Sequence, residues 1–402
     1  MFLKKIINSI ADAGKELLSK TFTGKRNVAS LLELSDDLIS YKGIASGIAI
    51  AREISETYKE LSIEDKKKFF QEIDKKLKPN MDLVEQKSIE FVKDKSKETL
   101  KSLAALAEGR RQEFIRRMNM APNGTAFLVS MREDLLQCVL EDPSLQDLDE
   151  DFRHLFRSWF NPGFLKLEKI TWETKAAILE RIIKYEKVHK IKDMDDLKRR
   201  LQEDRRFFAY FHPVLHDEPL IFVQVAFTEG LATCIQDIIK PTMDSKLKAD
   251  TATFYSISNC QQGLTNVTLG NFLIKRVVYE IQQENSKIKN FGTLSPLPGF
   301  VDWFNYLEEA KIISIIGAED FSKIKFLHNA DVKVGDPRIV EHQAIVKKLA
   351  VHYLIKEKVN NKPVNSVTRF HLGNGASIQD ITVNANISDY GYKESFGVMV
   401  NY

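Results

Sequence analysis

The chain has 402 residues, enough for two or three domains, with 43% hydrophobic and 29% charged residues as in ordinary globular proteins. Its 25 Phe against 11 Pro predict large cores without long disordered linkers. A net charge of +3, with no basic stripe interleaved with aromatics, argues against nucleic acid as a partner.

The first twenty residues, MFLKKIINSIADAGKELLSK, are amphipathic. Asp12, Glu16 and the lack of Arg favour a docking helix over a targeting presequence. The expected location is therefore the cytoplasm, with the mitochondrial matrix as the alternative. Residues 1–157 read as helix after helix, including long predicted helices over Ile54 to Leu77 and Met81 to Ala107. The Lys-rich run from Lys66 to Lys78 reads as a solvated helix face rather than a binding surface. No strand is expected before residue 200. Asn161-Pro162-Gly163 marks a domain junction.

Two more helices are predicted over Thr174 to Tyr185 and Asp193 to Leu201, and then the texture turns β-rich. Strands are expected over Arg206 to His212, Pro219 to Thr228 and Thr251 to Ser258. No apolar run reaches membrane-spanning length; the best, Leu220 to Phe227, suits a buried strand. Helices follow over Leu269 to Gln283, Val301 to Glu309 and Glu341 to Lys356. Val367 to Leu372 reads as a strand running into the turn Gly373-Asn374-Gly375. The fold class is α+β: an all-α domain over residues 1–157, then a mainly antiparallel sheet with helices over 158–402. Cys138, Cys234 and Cys260 form no CxxC pair, which points to a reducing compartment.

Four features suggest chemistry. The loop before the helix that opens at Gly270 would present unpaired backbone N–H groups, with Lys275 and Arg276 within two turns. That is a seat for a phosphate-bearing ligand such as an acyl-CoA. Against the acetyl-CoA signature of the GNAT acyltransferases only Gly270 matches, with Thr265 and Thr268 in place of the first two signature residues. Ser295 is held extended by Pro296 before the Pro298-Gly299 turn; it suits either proton work or a turn that caps the next helix. His371 stands before a flexible turn, as a structural residue or a catalyst. His212 and His216 have zinc-like HxxxH spacing, but Pro213 breaks the helix such a site needs, so no metal is expected.

The chain resembles the malonyl-CoA decarboxylase family. The stretches that carry the likeness include LFRSWFNPGFLKLEKITW (155–172), DEPLIFVQVAFT (217–228) and FYSISNCQQGLTNVTLGNFLIKRVV (254–278). LSPLPGF (294–300), FHLGNGA (370–376) and FGVMVNY (396–402) continue it, and LSPLPGF and FHLGNGA are the specific elements. In the helical half, GRRQEFIRRMNMAPNGT (109–125) and MREDLL (131–136) are similar too.

The resemblance implies a helical N-terminal domain that makes homo-oligomer contacts (dimer or tetramer) and a GNAT-like catalytic domain. It implies conversion of malonyl-CoA to acetyl-CoA and CO2, with no metal and no separate cofactor, CoA being part of the substrate. It puts the catalytic serine at Ser295 and the histidine at His371. The CoA loop falls on Thr265, Asn266, Val267, Thr268, Leu269, Gly270 and Asn271, with Lys275 and Arg276 behind it and Asn374 as an orienting candidate. Thr268 departs from a family glutamate, and family members continue past the position of Tyr402. Two other functions are carried forward: a CoA-dependent N-acyltransferase, and an inactive CoA-binding or scaffold protein.

Overall fold

Capping residues divide the helical half. Ser62, Asn80 and Ser96 each accept a backbone N–H three residues on through the side-chain oxygen, and each starts a helix. The two long helices predicted from periodicity are therefore four shorter ones: Ile44–Lys59, Ile63–Leu77, Met81–Lys93 and Lys97–Glu108. Hydrophobic spacing carries through the breaks, and the caps decide where the helices end. The structure is a computed structural model and describes residues 26–40, 44–240, 248–267, 269–328 and 332–402. The reading of residues 1–20, and Thr268, lie outside the described residues.

Two compact units form. The first holds the helices up to Leu165 and takes in His212–Glu218 and Gln261–Thr268 from later in the chain. An aromatic cluster centres it, with Tyr58 edge-on to Phe69 and Phe127, and Phe69 tilted against Phe114. The Lys-rich helix Ile63–Leu77 buries Phe69, Phe70, Ile73 and Leu77 and turns most of its lysines outward. Lys66 is drawn in to Asp134 at 2.9 Å.

Arg132, on the helix Gly124–Glu141, is fully buried. It forks onto Asp149 at 2.8 and 3.2 Å, and its third nitrogen donates to the carbonyls of Gly263 at 2.7 Å and Thr265 at 2.9 Å. The planar guanidinium satisfies a carboxylate and two loop carbonyls at once, which an ammonium cannot do in that geometry. Gly263 allows this approach, because a methyl there would overlap the Val129 carbonyl oxygen.

The second unit is built on a five-stranded sheet in the order β1-β2-β3-β4-β5. The strands are β1 (Lys166–Lys169), β2 (Arg205–Phe211), β3 (Pro219–Thr228), β4 (Thr251–Asn259) and β5 (Asn290–Thr293). All neighbours are antiparallel except β4 and β5, which the helix Gly270–Glu284 joins in parallel. The mixed, mainly antiparallel sheet flanked by helices is the architecture expected. One strand departs from expectation: β1 lies before residue 200. Its Lys-Leu-Glu-Lys sequence has no β-branched residue, and it is a strand through its pairing with Phe208 to Phe211.

A second sheet has the order β6-β10-β9, from Ser295–Pro296, Met399–Asn401 and Asp380–Thr382; between them in sequence, β7 (Lys358–Val359) and β8 (Lys362–Pro363) form a hairpin. Among the described residues no helix is long and apolar enough to cross a membrane.

Removing Arg132 would leave Asp149 buried and uncompensated. Arg132→Ala is expected to lower stability by about 3–5 kcal/mol, read as a fall in the urea midpoint.

Candidate active site

Ser295 opens β6, where Val400 of β10 stands opposite it. Pro296 and Pro298 restrict the following chain, and Gly299 turns it at φ +74°, a conformation that favours glycine. Gly299 itself is the N-cap of the helix Phe300–Tyr306, so Ser295 does not cap it. The Pro298 carbonyl accepts from Tyr353 Oη at 3.0 Å and from Asn365 Nδ2 at 2.9 Å. Asn365 also caps the helix Ser366–Gly373, its Oδ1 accepting from the Thr368 backbone N–H at 2.9 Å. One asparagine thus ties the turn after Ser295 to the helix that carries His371.

That helix corrects the predicted strand over Val367 to Leu372. Val367 and Thr368 are β-branched and read as strand, but the Asn365 cap starts a helix and His371 lies in its last turn. The consequence is geometric: His371 Nε2 comes within 3.2 Å of Ser295 Oγ, across 76 positions of sequence. Both residues are buried, at 4% and 6% exposure. The imidazole stacks on the Tyr402 ring, with centroids 4.4 Å apart and an interplanar angle of 20°. Tyr402 Oη in turn shares a hydrogen bond of 2.7 Å with Thr368 Oγ1. Burial pushes the His371 imidazole down to about 4 and, against the pull of the Thr368 bond, the Tyr402 phenol up to about 12. His371 is therefore neutral at pH 7 in the free protein.

The other predicted residues fall in several places. Asn374 follows the His371 helix, and its Nδ2 donates to the Phe370 carbonyl at 2.8 Å, which fastens the helix end. Gly270 starts the helix Gly270–Glu284, where a methyl would stand 2.8 Å from Cε2 of Phe370, the residue before His371. Its N-cap Leu269 makes no side-chain capping bond, and its first turn carries no acidic residue. Leu269 is its N-cap and is buried.

The preceding loop counts with the first unit. Thr265 Oγ1 donates back to the Gln262 carbonyl at 2.6 Å, Asn266 turns at φ +62°, and Val267 is buried. Lys275 and Arg276 are exposed, and Arg276 pairs with Glu280 at 3.1 Å. Of Asn271 only the backbone is described. His212 packs on Phe160 and accepts from the Val214 N–H through Nδ1. Among the described residues no group of three His, Cys, Asp or Glu is placed to hold a metal ion.

Sequence reading missed Arg132, Thr293, Asn365 and Tyr402. Thr293 alone left a signal: it stands two residues before Ser295, the spacing that puts two strand side chains on one face.

An all-α region followed by a mixed, mainly antiparallel sheet flanked by helices makes this an α+β protein. The sequence matches the malonyl-CoA decarboxylase C-terminal domain over residues 163–402 and the malonyl-CoA decarboxylase N-terminal domain over residues 77–160. The chain belongs to the malonyl-CoA decarboxylase family. It is 33% identical over 320 residues to the mitochondrial malonyl-CoA decarboxylase of Anser anser anser and 35% identical over 305 residues to that of Mus musculus. Those alignments cover 73% and 69% of this chain but only 63% and 62% of the two relatives. A crystal structure of malonyl-CoA decarboxylase from Rhodopseudomonas palustris superposes with a TM-score of 0.84 at 40% identity, covering 94% of this chain and 92% of that one. The Agrobacterium vitis enzyme gives 0.83 at 40% identity, covering 92% of each.

Two measurements check the site. NMR of ring-labelled histidine is expected to place the His371 titration near 4 in the free protein. Burial of neutral histidine also has a sign. His371 and the deeply buried His189, held down at about 3, take up protons in the unfolded chain first. Their stabilisation is complete above about 6.5 and is lost as pH falls through about 4 and then 3, so urea midpoints should drop across that window. Separately, Gly270→Ala must displace the Phe370 ring and is expected to move the ring resonances of the adjacent His371 in the same NMR experiment.

Proposed function

We propose that this chain decarboxylates malonyl-CoA, giving acetyl-CoA and CO2. The observation that carries the reading is the buried contact of Ser295 and His371 in a member of this family. The two residues come from LSPLPGF and FHLGNGA, far apart in sequence, and a purely structural serine has no need of a histidine here. The start of the helix Gly270–Glu284, where the apolar N-cap Leu269 makes no side-chain capping bond and the first turn has no acidic residue, supports a seat for the CoA phosphates.

The chemistry follows from the groups. The Cα–carboxylate bond breaks, CO2 leaves, and its electron pair spreads over Cα and the thioester oxygen as an enolate. A donor aimed at that oxygen stabilises the charge. Cα then needs one proton. His371 is neutral in the empty site, but a malonyl carboxylate beside it favours the imidazolium. In the proposed step Ser295 Oγ–H passes its proton to Cα and regains one from His371 Nε2, leaving neutral imidazole. The net balance is one proton consumed, with no covalent acyl-serine. Burial keeps the pair away from bulk water, where the enolate charge would be held less firmly by fixed dipoles.

The helices Met81–Lys93 and Lys97–Glu108 bury no side chain and expose Met81, Ile89, Val92 and Leu100. That apolar surface supports the homo-oligomer reading.

The test follows CO2 and acetyl-CoA from malonyl-CoA with no amine present. Ser295→Ala and His371→Asn are each expected to lower kcat by about 10²–10⁴-fold with a smaller change in KM. Binding of malonyl-CoA without CO2 release would select the inactive CoA-binding protein. Acyl transfer to an amine would select the acyltransferase.

A further inference from the structure

The hydroxyl of Ser295 has two neighbours. One is His371 Nε2 at 3.2 Å, and the other is Thr293 Oγ1 at 2.9 Å. Thr293 is buried at 7% exposure, and its oxygen also faces the backbone N–H of Tyr402 at 3.2 Å. Thr293 is itself held at both ends. Its N–H donates to the Tyr402 carbonyl at 3.0 Å, and its carbonyl accepts from Asn401 Nδ2 at 2.8 Å. The Thr293 oxygen is thus an acceptor fixed by the last two residues of the chain.

A serine hydroxyl has one proton to give. Ser295 donates it to Thr293. What it then offers His371 is a lone pair, and the imidazole must meet it with a proton on Nε2. A neutral histidine carries one ring proton, so Nδ1 is left without one. The direction of the hydrogen bond between Ser295 and His371 thus turns on the acceptor that Thr293 offers the serine.

We propose that Thr293 is the positioning residue of the pair: by accepting the Ser295 proton it orients the serine lone pair to His371 and selects the Nε2–H tautomer. This rests on the reading of Ser295 and His371 as the proton-delivering pair. In that reading a second proton taken up at Nδ1 makes the imidazolium, whose Nε2 proton refills Ser295 once the serine proton has gone to Cα, leaving neutral imidazole. The wrong tautomer would leave Nε2 as an acceptor, competing with the substrate for the serine proton. No covalent bond to Thr293 forms or breaks during the reaction; its hydrogen bond from Ser295 is given up when the serine proton goes to Cα and returns when His371 refills the serine.

The test is Thr293→Val, which keeps shape and removes the acceptor, beside Thr293→Ser, which keeps the hydroxyl. Nitrogen NMR of the ring of His371 in the free protein at pH 7 is expected to report Nε2–H in the parent and in Thr293→Ser. In Thr293→Val the population is expected to move towards Nδ1–H, as the serine hydroxyl turns to Nε2. With malonyl-CoA, Thr293→Val is expected to lose about tenfold in kcat with KM within about twofold, and Thr293→Ser to recover most of it.

Because Thr293 also binds the chain end, Thr293→Val risks misfolding. Ser295→Ala supplies a second arm, since it removes the acceptor of the Nε2 proton and is expected to loosen the tautomer preference with Thr293 intact. An unchanged Nε2–H population in Thr293→Val, or in Ser295→Ala, overturns the proposal. The tautomer is read without substrate, so a protein that released no CO2 would refute the decarboxylase reading and leave this measurement standing.

Discussion

Ser295 and His371 meet because the end of the chain is woven into the sheet beside them. Strand β10 pairs with β6 at Ser295 on one edge and with β9 on the other. Asn401 and Tyr402 then reach back to Thr293 with their side-chain and backbone groups. The Tyr402 ring continues the same construction by stacking on His371. A contact between residues 76 apart in sequence is entropically costly on its own. Here the ordering is carried by main-chain hydrogen bonds and by the apolar core that holds Val398, Val400 and Tyr402.

The Pro298 carbonyl plays the matching part from the other side. Two donors, Tyr353 and Asn365, converge on it, and Asn365 also starts the helix of His371. The serine turn and the histidine helix are therefore positioned through one shared group. Support from two sides fixes the Ser295–His371 geometry more tightly than either element would alone. The burial that comes with it explains why the imidazole stays neutral: desolvation disfavours its charged form.

Within the first unit a different constraint acts on the loop before the helix of Gly270. Arg132 grips the carbonyls of Gly263 and Thr265 while Asp149 neutralises it. Both charges are buried, so neither is free to leave the other. The loop conformation is therefore set by a helix far away in sequence, and the side chains of Thr265 and Val267 turn back onto the loop or into the interior.

Much of the architecture is legible in the sequence. The apolar run over β3, alternation over β4, helical spacing over Gly270–Glu284, and the break at Asn161-Pro162-Gly163 are local signals, and local physics produces them. LSPLPGF and FHLGNGA mark the serine and histidine by family resemblance. What local patterns do not carry is set at a distance. Lys166–Lys169 is a strand through its partner, Val367 to Leu372 is a helix through the Asn365 cap, and Thr293, Tyr402 and Arg132 act through groups distant in the chain. Sequence by itself determined most of the elements, the α+β class and the Ser and His motifs of the site. Only the tertiary structure decided that Ser295 and His371 touch, because that contact depends on the pairing of β6 with β10 and on the Asn365 bonds, which join groups distant in the chain.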